Sequence, residues 1–340
     1  MNKQIDLKNR DGLCLALGGG AARGFAHLGI IKVLEEHNIP IAGICGTSMG
    51  AWIGACYALH PNADAIIRDF KAYVNSSSFV KARFSFMRKA RTDTQVQKAT
   101  LRERLNQGML LGRSYSTGSI ISFEDFRFEI SSLLPNKTFK NTVIPFFAVA
   151  VDLTNTREVV FNSGFLRSAV LASSAIPGAF PVTRQGNTVY VDGGWMNNIP
   201  VNPLLVFGAR HVLAIDVTDN QPPDINPRRG YAIYSQANKA LSIRLSEVQC
   251  ERASLIWHPP VKGIHWSDFT EIDKAVEAGV NHARSHIHEI KDILNKRPPK
   301  LTRWQNFLLR LAKIPQEPKR PIPKSFDVRT IWDVGPAEMD

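Results

Sequence analysis

Short apolar runs alternate along this chain with segments of helical character, and glycine or polar turns mark most of the changeovers. Leu13-Cys14-Leu15-Ala16-Leu17 reads as a buried strand, followed by a glycine loop and a helix to about Glu36. Ile41–Cys45 is a second strand, and its helix runs from Met49 to about Leu59. Further strands are expected at Val143–Leu153, Glu158–Asn162, Val189–Val191, His211–Val217 and Leu255–His258, with helices over Phe165–Ser174 and Asp268–Leu294. Near-continuous apolar strands alternating with helices predict an α/β fold, a three-layer sandwich whose central, mostly parallel sheet is covered on both faces. Proline and basic residues thicken from Lys296 onward, so a compact domain is expected over 1–295 and a tail over 296–340. No internal repeat interrupts this pattern.

Charge adds a second layer. The chain of 340 residues carries a formal net charge of +12. Residues 68–104 hold ten Lys or Arg against three Asp or Glu, and residues 296–340 hold ten against five. The remainder is neutral, so the basic excess belongs to two surface segments. The first contains Phe79-Val80-Lys81-Ala82-Arg83-Phe84, alternating apolar and cationic residues, and suits a lid or a membrane-facing insert. The second contains a short amphipathic helix candidate at Trp304–Lys313. Both fit peripheral contact with an anionic membrane; a solvated lid helix and a tail packed on the domain are the alternative. Nothing in the charge pattern calls for nucleic acid, and oligomeric state is not encoded in any recognisable way. Met1–Arg10 is polar, and no apolar stretch approaches membrane-spanning length. Cys14, Cys45, Cys56 and Cys250 sit mostly in apolar contexts without metal-ligand spacing. A cytoplasmic location is therefore expected, with possible attachment at the inner face of the membrane.

The chemistry begins at Gly46-Thr47-Ser48-Met49-Gly50, set between the second strand and its helix. This is the nucleophile-elbow pattern: Ser48 is held at a sharp, strained strand-to-helix turn, and the two glycines allow the backbone to close around it. The helix N-terminus beneath the serine favours the anion formed when an acyl group is attacked. A second glycine cluster, Gly18-Gly19-Gly20-Ala21-Ala22-Arg23-Gly24, also opens a helix. It departs from the dinucleotide fingerprint, because Arg23 occupies the position of the third glycine, and from a P-loop, because Phe25 follows Gly24. What remains is a run of backbone N–H groups beside one fixed cation, suited to an oxyanion or a phosphate.

A serine nucleophile needs a base. Among the histidines, His27 reads as a packed core or interface residue, and His282, His286 and His288 as a solvated helix face. His258 and His265 flank a proline-rich loop at the late position of a hydrolase histidine and stay as a minor option. The stronger candidate is Asp192, at the end of an apolar strand, where Gly193 and Gly194 let the chain turn and leave the carboxylate facing outward. A dry pocket raises a carboxylate pKa toward the working range. Asp152, also at a strand end, is the competing acid.

Together these segments resemble the patatin-like phospholipase family, and within it the short bacterial proteins related to neuropathy target esterase. The resemblance spans about residues 13–290 and rests on four motifs in the family's order. These are the Gly18–Gly24 loop, Gly46–Gly50, Asp192-Gly193-Gly194, and Ala172–Gly178 with Phe180-Pro181. It implies a modified α/β-hydrolase-like sandwich and a Ser48–Asp192 dyad without histidine. It also implies an oxyanion hole from the N–H groups of Gly18, Gly19, Gly20 and Met49, with Arg23, Gly46, Gly50, Gly193 and Gly194 in support. The activity implied is hydrolysis of acyl esters of phospholipids or lysophospholipids, with no cofactor and no metal. Two other classes remain open: a phosphate-binding module using only the glycine loop, and a membrane-associated scaffold with a vestigial esterase site.

Overall fold

The computed structural model describes residues 6–76, 79, 118–218, 230–295, 326–332 and 335–336. Its strands are β1 (Leu13–Leu17), β2 (Ile41–Thr47), β3 (Phe146–Asp152), β4 (Arg157–Gly164) and β5 (Thr183–Gln185). They continue with β6 (Thr188–Asp192), β7 (Val212–Ile215), β8 (Leu255–Trp257), β9 (Phe326–Ile331) and β10 (Gly335–Pro336). All ten join one sheet in the order β10-β5-β6-β3-β2-β1-β7-β8, with β4 paired to β3 and β9 paired to β4. The centre of the sheet, from β3 through β2 and β1 to β7 and β8, is parallel throughout. This is the expected α/β sandwich with a mostly parallel sheet.

Alternation along the strands assigns the two faces. In β1 the side chains of Leu13, Leu15 and Leu17 enter one core, while those of Cys14 and Ala16 enter the other. The larger core is covered by α1 (Ala26–Glu36), α2 (Met49–Leu59), α3 (Ala63–Val74), α4 (Phe123–Leu133) and α5 (Leu166–Ser173). The opposite face is covered by the short α6 (Val201–Val206) and by the end of α7 (Gly230–Cys250), while α8 (Ile272–Asn295) packs along α1. Helix α2 is buried at every position, so it is apolar all round and has no polar face. Its small residues allow this: Gly54 lies where a Cβ would stand 3.0 Å from both Ile44 and Phe146. No described helix is long and apolar enough to cross a membrane.

The site depends on strand β3. Along one edge its first half pairs with β2, as far as Thr47↔Val149, and its second half pairs with β6, starting at Ala150↔Asp192. One β3 residue therefore lies beside the position before Ser48, and the next lies beside Asp192.

The expectation of a separate tail from residue 296 needs correction. Phe326–Ile331 returns to the sheet as β9, parallel to β4, with Phe326 and Ile331 buried. Its half-buried Phe-Asp-Val-Arg-Thr-Ile pattern sits behind a proline- and lysine-rich stretch, which hides the strand in the sequence. The amphipathic segment at 304–313 and the basic segment from 80 to 104 lie outside the described residues. The apolar pattern also misses α4, α6 and α7, the last because small polar residues interrupt it.

Strand β9 is fastened by charge as well as by its ladder. Arg329 donates to Asp152 at 2.7 Å, and Asp152 is fully buried at the end of β3. Burial pushes the Asp152 pKa up, but hydrogen bonds from Asn155 and Arg329 and the guanidinium charge outweigh it and hold it below the usual carboxylate value. The competing acid of the sequence is thus half of a structural ion pair. Replacing Arg329 by Met strands a buried carboxylate, at a cost of about 2 kcal/mol once the partial exposure of the arginine is discounted. Urea denaturation at pH 7 measures this. The penalty should shrink as pH falls below the ordinary carboxylate range, because the lowered pKa gives a stabilisation present at neutral pH and lost in acid.

Candidate active site

Ser48 is the hinge between β2 and α2. Its backbone sits at φ 55° and ψ −122°, a region that costs a non-glycine residue on the order of 1–3 kcal/mol. The surroundings hold it there. Its N–H donates to Ser173 Oγ at 3.0 Å, and Ser173 in turn donates to the Val149 carbonyl of β3 at 2.6 Å. On the other side, the Thr47 hydroxyl donates to the Asn197 carbonyl at 2.9 Å. The glycines of the motif are required by close approach. A Cβ on Gly46 would lie 2.3 Å from the Gly50 carbonyl oxygen, and one on Gly50 would lie 2.2 Å from that of Leu17.

Asp192 ends β6 and is only 4% exposed, so its carboxylate faces the interior of the cleft floor and not outward as the strand-end position suggests. Oδ1 accepts from the Gly194 N–H at 2.7 Å, while Oδ2 makes no hydrogen bond of good geometry among the described residues. Burial pushes the pKa up to about 6, against the opposing pull of the Ser48 hydroxyl and the Gly194 N–H. Gly193 packs so tightly on β3 that a Cβ there would stand 2.5 Å from the Val149 carbonyl oxygen. Gly194 in turn supplies the N–H that holds Oδ1.

The glycine loop closes over the serine. A Cβ on Gly19 would meet Ser48 Cβ at 3.1 Å and Asn198 Oδ1 at 2.7 Å. Not every N–H of the loop is available, which narrows the expected donor set. Gly18 donates to the Ile215 carbonyl at 3.1 Å and Gly19 to the Asn198 carbonyl at 3.2 Å, because both lie against neighbouring chain as β1 ends. Among the described residues nothing occupies the N–H of Gly20 or of Met49, the first residue of α2.

His27 supports the loop from below: its Nε2 donates to the Gly18 carbonyl at 2.8 Å. Burial pushes its pKa down to about 4, so the ring is neutral at pH 7. Arg23 donates from Nε to the Ile264 carbonyl at 2.8 Å and so ties the loop to the segment before α8.

Ser48, Asp192, Gly19, Gly20 and Arg23 line one cleft of about 400 Å³. The histidines do not join them. His258 pairs with Asp216 and His265 with Ser267, while His282 and His286 stack on each other beside Trp257; none of these lines the cleft. Sequence reasoning places Ser173 in the Ala172–Gly178 motif and Asn198 in the loop that holds the turn after Asp192, but gives neither its role in bracing the serine and the glycine loop, and it misses the whole wall supplied by α7. Their partners lie far away in the chain, 125 positions in the case of Ser48 and Ser173.

Comparison with known proteins identifies the family. A family model described as patatin-like phospholipase matches residues 15–205. Lysophospholipase NTE1 of Debaryomyces hansenii is 29% identical over 62% of this chain and 12% of its own length. Patatin-like phospholipase domain-containing protein 7 of Mus musculus is 26% identical over 80% of this chain and 20% of its own. The chain thus spans between about an eighth and a fifth of the length of these relatives. The solved structure of VipD from Legionella pneumophila aligns at 14% identity over 83% of this chain and 67% of that one. That alignment has a TM-score of 0.39.

The buried carboxylate has a measurable consequence. Its pKa is higher in the folded than in the unfolded chain, so its contribution is favourable while it is protonated and is lost as pH rises through about 6. Asp192→Asn removes the charge and keeps the acceptor for Gly194. It should raise stability at pH 8 by up to about 3 kcal/mol, roughly two pKa units at 1.36 kcal/mol each. The gain should shrink between pH 6 and pH 4 in thermal or urea unfolding followed across pH.

Proposed function

This chain belongs to the patatin-like phospholipase family, and from that premise we propose that it is a serine acyl-ester hydrolase acting on phospholipids or lysophospholipids. The observation that carries the reading is the buried carboxylate of Asp192, whose Oδ2 makes no hydrogen bond of good geometry among the described residues and which lines the same cleft as the strained Ser48. Asp192 is the base of a Ser–Asp dyad. With a pKa of about 6 it is mostly ionised at pH 7, yet more basic than an ordinary carboxylate.

In the first half-reaction Asp192 accepts the Ser48 proton as Oγ attacks the acyl carbonyl carbon. The carbonyl π electrons pass to oxygen, and the N–H groups of Gly20 and Met49 hold that oxyanion, each worth roughly 3 kcal/mol in such settings. Collapse breaks the acyl C–O bond, and the leaving alcohol takes the proton from Asp192. Water then repeats the path: Asp192 takes its proton, hydroxide adds to the acyl-serine, and Ser48 leaves with the proton returned. Arg23 and His27 keep the loop in register through Ile264 and Gly18. Gly18 and Gly19 serve as spacers and not as donors, because their N–H groups are already bonded.

The hydrolase domain is read as residues up to 295 together with β9. The basic stretches at 68–104 and within 296–340 are read as peripheral contacts with anionic lipid, on the strength of their charge.

Treatment with a fluorophosphonate followed by intact-mass analysis tests the dyad. Wild type should gain one adduct, Ser48→Ala none, and Asp192→Asn should react at least about a hundredfold more slowly. Full ester turnover by Ser48→Ala would overturn the assignment. For a soluble short-chain ester, kcat/KM should fall about tenfold per pH unit below pH 6 as Asp192 protonates. A profile flat down to pH 5 would remove Asp192 as the base.

A further inference from the structure

Helix α7 forms a wall of the cleft with a pattern of its own. Ser235, Asn238, Lys239 and Ser242 all line the cleft, at the i, i+3, i+4, i+7 spacing that puts residues on one face of a helix. Asn238 is partly committed, because its Nδ2 donates back to the Tyr234 carbonyl at 3.1 Å. The two serine hydroxyls therefore flank Lys239 as short-reach donors. Other parts of the cleft are apolar, with Ile176, Trp195, Leu245 and Trp266 contributing.

The charges in this cleft are few. Asp192 is its carboxylate, Arg23 is tied to the Ile264 carbonyl, and Lys239 is the remaining cation among the described lining residues. Lys239 is half-buried and, among the described residues, has neither an ion pair nor a hydrogen bond. Elsewhere in the molecule the partly buried Lys32 pairs with Asp64 at 2.6 Å. Here the helix offers hydroxyls instead. A lysine flanked by hydroxyl donors in a cleft with apolar walls is complementary to an amphiphile with one anionic group.

We propose that Lys239, flanked by Ser235 and Ser242, binds the phosphate of the substrate headgroup and makes this cleft selective for phosphate-bearing acyl esters over neutral glycerides. The inference rests on the hydrolase reading above and assigns the part of the site that reads the alcohol half of the ester. A neutral glyceride presents no charge to the ammonium, so it forgoes the charge-assisted bonds that a phosphate forms.

The test compares kcat/KM for a palmitoyl lysophospholipid with a choline headgroup and for monopalmitoylglycerol, both below their aggregation concentrations. Wild type should prefer the phosphate-bearing substrate by about tenfold or more, mainly through KM. The preference should fall to near unity in Lys239→Ala, reverse in Lys239→Glu and survive in Lys239→Arg. A wild-type ratio near one, or a ratio unchanged in Lys239→Ala, would overturn the proposal even if both esters are hydrolysed. Should wild type hydrolyse neither ester and resist fluorophosphonate, the hydrolase reading falls by itself. Calorimetric titration with glycerol 3-phosphate then decides the subsite: binding by wild type that Lys239→Ala loses by about tenfold supports it, and equal or absent binding removes it.

Discussion

The register of β3 is the constraint on which the site depends. A strand that changes partner along one edge can hold two neighbouring strand ends in sequence, and here the change falls between Val149 and Ala150. Ser48 follows the residue paired with the first, and Asp192 is paired with the second. The burial pattern of the side chains specifies that register, and its backbone hydrogen bonds thus hold two positions 144 residues apart in the chain (Ser48 and Asp192). The Val149 carbonyl reinforces the arrangement, since it accepts from Ser173, which in turn holds the Ser48 N–H.

Burial does the electrostatic work around that frame. It lifts Asp192 and depresses His27 by the same physics, since both lose the solvent that stabilises charge. The outcomes differ because their partners differ. His27 gives its N–H to a carbonyl and becomes a neutral strut, whereas Asp192 keeps one oxygen without a hydrogen bond among the described residues. Asp152 shows the contrary case: Arg329 and Asn155 satisfy it, and it becomes a fastening for β9.

Much of this was legible in the chain wherever the signal was local. Leu13–Leu17, the glycine loop, the elbow at Gly46–Gly50 and the strand before Asp192 each carry their pattern within a few residues. The central parallel sheet follows from the same runs. Contacts made across the fold were not legible. Nothing near Ser173 announces that it bridges β3 to the nucleophile, and nothing near Asn198 announces that its carbonyl takes the Gly19 N–H. The glycine loop looked like four open donors with Met49, but which of them remain free depends on where Ile215 and Asn198 lie. Helix α7 was missed because a helix that lines a wet cleft mixes serine, asparagine and lysine with leucine, and so weakens the apolar period. Strand β9 was missed because its ladder partner is remote.

That remoteness bears on how the chain acquires its form. The β4–β9 ladder joins residues such as Val159 and Asp327, 168 positions apart. Contacts of such sequence separation carry a loop-closure cost and slow folding. During that interval one edge of β4, with buried Val159, Val160 and Phe161, would stand open as a template for any extended segment nearby. The quality of the folded population then rests on a kinetic race, with intramolecular capture by β9 on one side and pairing between chains on the other.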